Sequence, residues 1–430
     1  MTDIAQTRRK TNSFTLTVKS LLLFLYIYEF NFSAWGFSTF ITSRRIVVFI
    51  LVLYIILKSL FRTDEKRGKI SIALMGTRGW RFFRRHLLMI AILLFQCVLL
   101  TLVYGQGTGT PFLEVLLRQI LFGIIPVFLF YELFSSLDEF MMALLVATVV
   151  QGVIILLCLI NPNVTTFIDT TFVQENIARK RWGYAGGLAC STAPGCIKFS
   201  IGLIACMYFI LKKGKTIYNA LFFFLSIIVI LIARTGAVFV GVSLIFMLYI
   251  LNKEGKATKA FNYIASIIVL LIALFLVLIY TGGLSAFSLR FTRYVNLLQN
   301  GAYDEFFRGF SSENSSLPRI SENLFGTGTV SGYSGNNKLI NIDGGYLRIY
   351  SAVGPIMAVI CYISLFKNLI RSSSVFDNKG IKGLFVAFVL FIAVAEFKEF
   401  TIFAQFMFCI FYAAVFLAEK DYRVNYGGGN

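Results

Sequence analysis

The stretch "EFMMALLVATVVQGVIILLCLIN" occupies residues 139–161 and decides the class of fold. After Glu139 it contains no charged residue. A helix that crosses a lipid bilayer needs about 20 consecutive, mostly apolar residues. The stretch therefore predicts a transmembrane helix, and the next question is how often this pattern recurs.

Much of the remaining chain is built from similar stretches. Of the 430 residues, 57% are hydrophobic and 14% are charged, whereas an average soluble domain has about 25% charged residues. We therefore expect an all-α polytopic membrane protein with about 12 transmembrane helices, in one integral membrane domain over residues 1–430. The candidate spans are residues 15–35, 45–61, 86–105, 112–134, 139–161, 197–211, 217–233, 235–252, 261–282, 347–367, 382–396 and 400–418. Alternatively, residues 382–418 form one broken element instead of two spans.

The distribution of Lys and Arg predicts the orientation. Loops rich in these residues stay on the cytoplasmic side, and with the N-terminus inside, 25 of the 40 basic residues fall there. Both termini are then cytoplasmic. The net charge of +19 mostly reflects this bias. Because the basic residues are dispersed among apolar segments, the charge does not indicate nucleic-acid binding.

Two links on the opposite, periplasmic side are too long to be simple turns. They cover residues 162–196 and 283–346, and loops longer than about 15 residues are usually functional or disordered. Both contain aromatic residues that could pack on the helices, and residues 294–310 predict short interfacial helices. Cys190 and Cys196 fall in the first loop and could pair in an oxidising compartment. Any chemistry is expected on this face.

Arginine is frequent on that face, although the positive-inside bias normally excludes it. A guanidinium group binds a phosphate through two parallel hydrogen bonds and keeps its charge. We therefore predict an anionic ligand at headgroup height, with plain headgroup contact or acidic partners as the alternative. The candidates are Arg181 in the first loop, Arg290, Arg293 and Arg308 in the second, Arg348 at the following helix, and Arg234 between two apolar stretches, where it could also only snorkel.

A glycine-rich segment precedes a late apolar helix, in "NLFGTGTVSGYSGNNKLINIDGGYLRIYSAVG" (323–354). Gly326 and Gly328 would let backbone N–H groups approach a phosphate or a sugar, although such segments are also simple turns. Asp343 lies just before the helix. A partly desolvated carboxylate can serve as a general base, or it can cap the helix N-terminus. The residues alone favour the cap.

Three further ionisable residues fall within candidate spans. Glu114 and Arg118 are four residues apart on one helix face and should form an ion pair. We interpret Glu29, in the first candidate span, as structural or cavity-lining. With a single His and no Cys/His cluster at ligand spacing, the sequence predicts no metal site.

The chain contains the short motifs "RWG" and "PG" within 181–195, "ARTG" at 233–236, and "NLFGTG" followed by "DGGYLRIYSAVG" within 323–354. In their order, these motifs resemble those of the O-antigen polymerase and ligase superfamily. The resemblance covers most of the chain in architecture and these short motifs in sequence. Members are membrane glycosyltransferases that act on undecaprenyl-diphosphate-linked oligosaccharides.

Within that superfamily the resemblance is to the Wzy-type polymerases, which join repeat units. Ligases depend on a His in the second large outer loop. Here Asp343 occupies the matching position, and the single His of the chain, His86, is predicted at the cytoplasmic face. This departure favours a polymerase over a ligase.

The resemblance implies roles for the candidate residues. Arg181 and Arg308 would hold the donor diphosphate, and Asp343 would accept a proton from the acceptor sugar hydroxyl. Arg290 or Arg293 could replace Arg308 in that role. Tyr346 and Arg348 would contact the acceptor or lipid phosphates. Glu396 and Glu399 would surround Asp343 or act as the base themselves.

The resemblance also implies a location and partners. The protein would be a multi-pass protein of the bacterial inner membrane, with undecaprenyl-diphosphate-linked oligosaccharides as substrates, membrane lipids as surroundings and a chain-length regulator as a partner. No cofactor is implied. The product would be O-antigen of lipopolysaccharide, capsule or another exopolysaccharide. A flippase for lipid-linked oligosaccharides and an O-antigen ligase are the alternatives; flippases usually have short loops and internal repeats.

Overall fold

The structure is a computed structural model that describes residues 13–30, 41–60, 76–104, 111–172, 192–232, 240–241, 243–245, 249, 324–330, 332–333, 339–340, 344–397, 401–403 and 405–426. Nearly all of them are helical. The named elements are α1 (Ser13–Ile27), α2 (Ser43–Leu60), α3 (Arg78–Tyr104), α4 (Phe112–Leu133), α5 (Leu137–Ile160), α6 (Pro162–Thr171), α7 (Thr192–Lys213), α8 (Thr216–Ile232), β1 (Gly332–Tyr333), β2 (Leu339–Ile340), α9 (Gly345–Val353), α10 (Pro355–Ser372), α11 (Lys379–Ala395) and α12 (Gln405–Tyr426). Helix α4 contains a π-helical turn at Ile120–Ile124, and β1 pairs antiparallel with β2.

Several of these helices are long and apolar enough to cross a membrane. In the described part of the chain, five meet both criteria: Arg78–Val103, Phe112–Leu133, Leu137–Cys158, Gly195–Lys213 and Pro355–Val375. Thr15–Ile27 and Thr216–Ile230 are shorter apolar helices. The described residues therefore agree with an all-α membrane protein. Twelve spans and the orientation remain predictions, since 261–282 and most of 235–252 lie outside the described residues.

The observed helices differ from the candidate spans 15–35 and 347–367. The span predicted at 15–35 is wrong in length, because α1 ends at Ile27; beyond it, the Ser43 hydroxyl accepts the N–H of Phe30 at 3.1 Å. The single span predicted at 347–367 is also wrong. It is broken at Gly354, whose φ is 81°, and Pro355 has no N–H with which to continue the helical ladder. Helices α11 and α12 are separate, which agrees with two helices at 382–396 and 400–418 and leaves the alternative of one broken element open.

The first predicted long loop, 162–196, contains helical structure at both of its ends. Helix α6 begins at Pro162, and the Asn161 side chain caps it by accepting the N–H of Asn163 at 2.9 Å. Helix α7 begins at Thr192, so Cys196 lies inside a helix and not in the loop. Its thiol is buried and donates to the Val229 carbonyl at 3.4 Å. Cys190 lies outside the described residues, so its possible pairing with Cys196 stays a prediction.

Ionic contacts bring several helix ends together around the α4–α5 turn. The contacts are Lys19–Glu139 at 2.7 Å, Lys58–Glu132 at 3.1 Å and Lys212–Asp138 at 2.6 Å, Lys420 to the Tyr131 and Phe134 carbonyls at 3.0 and 2.8 Å, and the Leu137 N–H to Asp421 at 2.9 Å. We call this region the Glu139 end. It gathers the C-terminal turns of α2, α4, α7 and α12.

The N-terminal turns of α4 and α12 lie at the opposite end, together with the C-terminus of α11. We call this region the Glu396 end, after the residue that follows α11. The ring centroids of Phe112, at the start of α4, and Phe403, just before α12, lie 5.6 Å apart. The candidate site residues that the structure describes belong to this end.

Candidate functional site

Helix α9 begins against the backbone of the α11–α12 link. The Gly345 N–H donates to the Glu396 carbonyl at 2.8 Å, and the N-cap residue is Gly344, with no side-chain cap. A Cβ at Gly344 would stand 2.9 Å from the Phe397 carbonyl oxygen, so only glycine permits this approach. Asp343, which lies outside the described residues, precedes the N-cap position, so the interpretation of Asp343 as the N-cap is wrong.

The carboxylate of Glu396 is the most highly coordinated acidic group at this end. It is fully buried. One oxygen accepts the Tyr362 hydroxyl at 2.8 Å, and the other accepts the N–H groups of Thr401 and Ile402, each at 2.6 Å. Glu396 therefore joins α10, the end of α11 and the link to α12, while its carbonyl holds the start of α9.

Burial dominates the electrostatics of Glu396, which lies between the helices α11 and α12. Desolvation raises the pKa of this carboxyl group to about 8, although the backbone N–H groups, the Tyr362 hydroxyl and the charge of Arg348 favour the ionised form. Near neutral pH the group is thus close to its titration point.

We expect the stability of the protein to depend on pH through Glu396. Its folded-state pKa of about 8 lies above the ordinary 4.5, so the folded chain binds this proton more tightly than the unfolded chain. Its contribution to stability is therefore fully present below pH 4.5 and is lost as the pH rises to about 8, with a slope approaching 1.4 kcal/mol per pH unit. Glu396→Gln should flatten this part of a melting-temperature profile measured in detergent from pH 5 to 9. An unchanged slope would contradict the assignment.

Tyr346 and Arg348 extend the cluster along the first turn of α9. The Tyr346 hydroxyl donates to the Ala393 carbonyl at 2.9 Å. The centroid of the Tyr346 ring lies 4.6 Å from that of Tyr362 and 4.8 Å from that of Phe397. Arg348 is half-buried and its charge acts on Glu396. The structure thus unites three predicted site residues. Because the Tyr346 hydroxyl bonds to the Ala393 carbonyl, a contact between this hydroxyl and a substrate stays a prediction.

The glycine loop, residues 324–330, fastens the other end of α9. The N–H groups of Thr327 and Gly328 donate to the Ser351 and Ala352 carbonyls, each at 2.9 Å, and the Gly328 carbonyl accepts the Phe112 N–H at 2.8 Å. These two N–H groups are therefore engaged within the protein. The structure gives this loop a clamping role, and the predicted contact of Gly326 and Gly328 with a phosphate or sugar stays a prediction.

Several predicted site residues lie outside the described residues. They are Asp343, Arg181, Arg234, Arg290, Arg293, Arg308 and Glu399. Sequence reasoning had given Glu396 an accessory place and had missed Tyr362, because nothing in the sequence pairs a tyrosine inside α10 with an acidic residue after α11. The available signal was a glutamate directly after an apolar helix, in "VAEFKEF".

The described residues contain no group of three His, Cys, Asp or Glu side chains that could hold a metal ion. The single histidine, His86, is buried, with its ring centroid 4.1 Å from that of Phe408. Arg118 donates to Glu114 as the i,i+4 spacing predicts.

Comparison with known proteins adds no relative: no protein-family model matches the chain, and neither a curated protein nor a solved structure is significantly similar to it. A functional assignment therefore depends on the motifs of the sequence and on the geometry of the site.

Proposed function

We propose that the chain is a membrane glycosyltransferase that polymerises undecaprenyl-diphosphate-linked oligosaccharide repeat units. The observation that carries the proposal is the placement of α9. This nine-residue helix is held at one end by Glu396 and at the other by the glycine loop. It presents Arg348 and directly follows the segment that contains Asp343. Such a short, doubly fastened helix is suited to position a carboxylate and a cation near a phosphate.

The proposed reaction is a single displacement. The non-reducing-end hydroxyl of the acceptor repeat attacks the anomeric carbon of the donor chain, the new glycosidic bond forms, and undecaprenyl diphosphate leaves with the bonding electrons. Asp343 takes the hydroxyl proton. One displacement inverts the anomeric centre, and the diphosphate bond supplies the driving force, so no nucleotide is required.

Arginine side chains would replace a metal ion at the leaving group. Negative charge develops on the diphosphate as the bond breaks, and positively charged groups fixed beforehand stabilise the transition state more than the ground state. Arg181 and Arg308 are proposed for this role, with Arg290 or Arg293 as alternatives to Arg308. Arg348 and Tyr346 are proposed to orient the acceptor or to contact lipid phosphate, and Arg234 to line the same pocket. The active face would be periplasmic, in the inner membrane of a bacterium.

The direct test uses purified protein and a lipid-linked repeat unit. We expect chain extension to continue in EDTA, because the proposed charges are all on side chains, and Arg308→Ala should reduce the extension rate by roughly two to three powers of ten. Gel electrophoresis of the products gives both results. Strict dependence on added Mg²⁺ would contradict the proposal that arginine takes the place of a metal.

Transport of lipid-linked oligosaccharides is the second candidate, favoured by the break between α9 and α10. Interrupted helices frequently form the substrate sites of transporters. The two functions differ in the leaflet where single repeat units accumulate in a deletion strain. Accumulation in the outer leaflet indicates a polymerase and accumulation in the inner leaflet indicates a flippase, whereas long chains that fail to reach lipid A would indicate a ligase.

A further inference from the structure

A group of charged residues lies between α1, α2 and α7, separate from the Glu396 cluster. Glu29 forms an ion pair with Arg44, with 2.9 Å between Oε2 and Nη1. The charges of Lys198 and Arg45 also act on the Glu29 carboxylate. We call these four residues the Arg44 cluster. Three cations thus act on Glu29, and Arg44 contacts it directly.

The cluster lies far from the Glu139 end. Arg44 is 14 residues from Lys58 in α2, and Lys198 is 14 residues from Lys212 in α7. Both lysines are ion-paired at the Glu139 end. A helical rise of 1.5 Å per residue puts both cations about 21 Å from that end. The cluster therefore lies at the other side of these two helices.

A cation–π contact places Arg45 beside the middle of α4. The guanidinium of Arg45 lies 5.7 Å from the ring centroid of Phe122. Phe122 belongs to the π-helical turn of α4 and precedes the ion-paired Glu132 by ten residues, or about 15 Å of helix. The Tyr26 hydroxyl donates to the Phe122 carbonyl at 2.5 Å. The charged ends of α1 and α2 are therefore level with the middle of α4.

The cluster is fixed in place before any ligand binds. The Nε of Arg44 donates to the Tyr26 carbonyl at 3.0 Å, and its guanidinium lies 5.5 Å from the centroid of the Tyr26 ring. Arg44 and Arg45 both stand in the first turn of α2, which contains no acidic residue. Because the N-terminus of a helix carries partial positive charge, it disfavours cations there. Negative charge beside this turn is therefore stabilising, and Glu29 supplies one unit of it.

The side of α2 next to Arg45 is open and apolar. Phe49 is four residues from Arg45, hence on the same helical face, and is 70% exposed. Ile46 and Ile50 are also exposed. In a membrane-spanning chain, such a face contacts lipid. A molecule that reaches Arg45 along this face must therefore have a hydrocarbon portion as well as a negative charge.

We propose that Arg44, Arg45 and Lys198 bind the phosphate group of a membrane lipid that approaches along α2. Two arginine forks and one lysine charge match the oxygen atoms of a phosphate, and the apolar face of α2 matches the lipid tail. The inference concerns binding alone and does not depend on the proposed polymerase reaction.

Binding of defined lipids to the purified full-length chain tests the site. The probes are undecaprenyl diphosphate, phosphatidylglycerol and inorganic pyrophosphate, each titrated in detergent and followed by native mass spectrometry. Arg45→Gln combined with Lys198→Gln should weaken lipid-phosphate binding at least tenfold. The matched control is Arg118→Gln, which removes a cation of α4 that is paired with Glu114 outside the cluster. This variant should bind the lipids as tightly as the unmodified protein does.

Glu29→Gln separates an anion site from a purely structural ion pair. Removing the competing carboxylate should tighten phosphate binding several-fold if the cations bind an anion, whereas a structural pair would only lower the melting temperature. Preference for undecaprenyl diphosphate would identify a carrier-lipid site, and equal affinity for phosphatidylglycerol a general phospholipid site; both support the proposal. Binding of pyrophosphate without either lipid, or equal losses in the double variant and in Arg118→Gln, would overturn it.

Discussion

Asp343→Asn should reduce chain growth by roughly two to four powers of ten, the range associated with removal of a general base. Asn has nearly the same size as Asp but cannot accept the hydroxyl proton. The variant should therefore reach the membrane in normal amounts and still bind a lipid-linked repeat unit. The length distribution of glycan products in a deletion strain, together with immunoblots of membrane fractions, measures both quantities.

Two controls make this experiment specific. Asp377→Asn changes an exposed carboxylate in the turn between α10 and α11, and its glycan products should be normal. Glu399→Gln tests the alternative base in the α11–α12 link. Normal chain growth in Asp343→Asn would remove Asp343 from the mechanism, and loss of growth in Glu399→Gln alone would transfer the role of base to that residue.

Gly354→Ala should destabilise the protein by on the order of 3–5 kcal/mol, enough to abolish accumulation of many folded proteins. The φ of Gly354 is 81°, which is unfavourable for any residue with a Cβ. An added Cβ would also stand 2.2 Å from the Leu324 carbonyl oxygen. Because the atoms nearest to the added Cβ belong to the backbone of the glycine loop, this loop would have to separate from the end of α9.

Gly214 supplies a matched comparison for the glycine effect. Its φ is 61°, but a Cβ there meets nothing within 4 Å. Gly214→Ala should therefore carry only the conformational penalty, about 1–2 kcal/mol. Melting temperatures of the two variants in detergent, read by fluorescence-detected size exclusion, should differ widely. Equal stability of the two would show that the glycine loop does not clamp α9 as described.

Glu396 illustrates how a site residue can be recognised only in part before the fold is known. Its position after an apolar helix indicated a place near the membrane boundary. Its hydrogen bonds with Tyr362, Thr401 and Ile402 depend on how α10 approaches the α11–α12 link. That approach is a result of packing between distant segments, and no local pattern encodes it.

The amino-acid sequence by itself determined the helical membrane character, because long uncharged apolar runs can satisfy their backbone groups in a bilayer only as helices or closed barrels. It also determined the i,i+4 pair of Glu114 and Arg118, which needs only helical periodicity. Tertiary structure alone decided where α9 begins, that the glycine loop binds its last turn, and that Glu29 forms an ion pair with Arg44. These contacts join residues far apart in the chain, and their geometry is set by the packing of helices whose relative positions the sequence pattern leaves open.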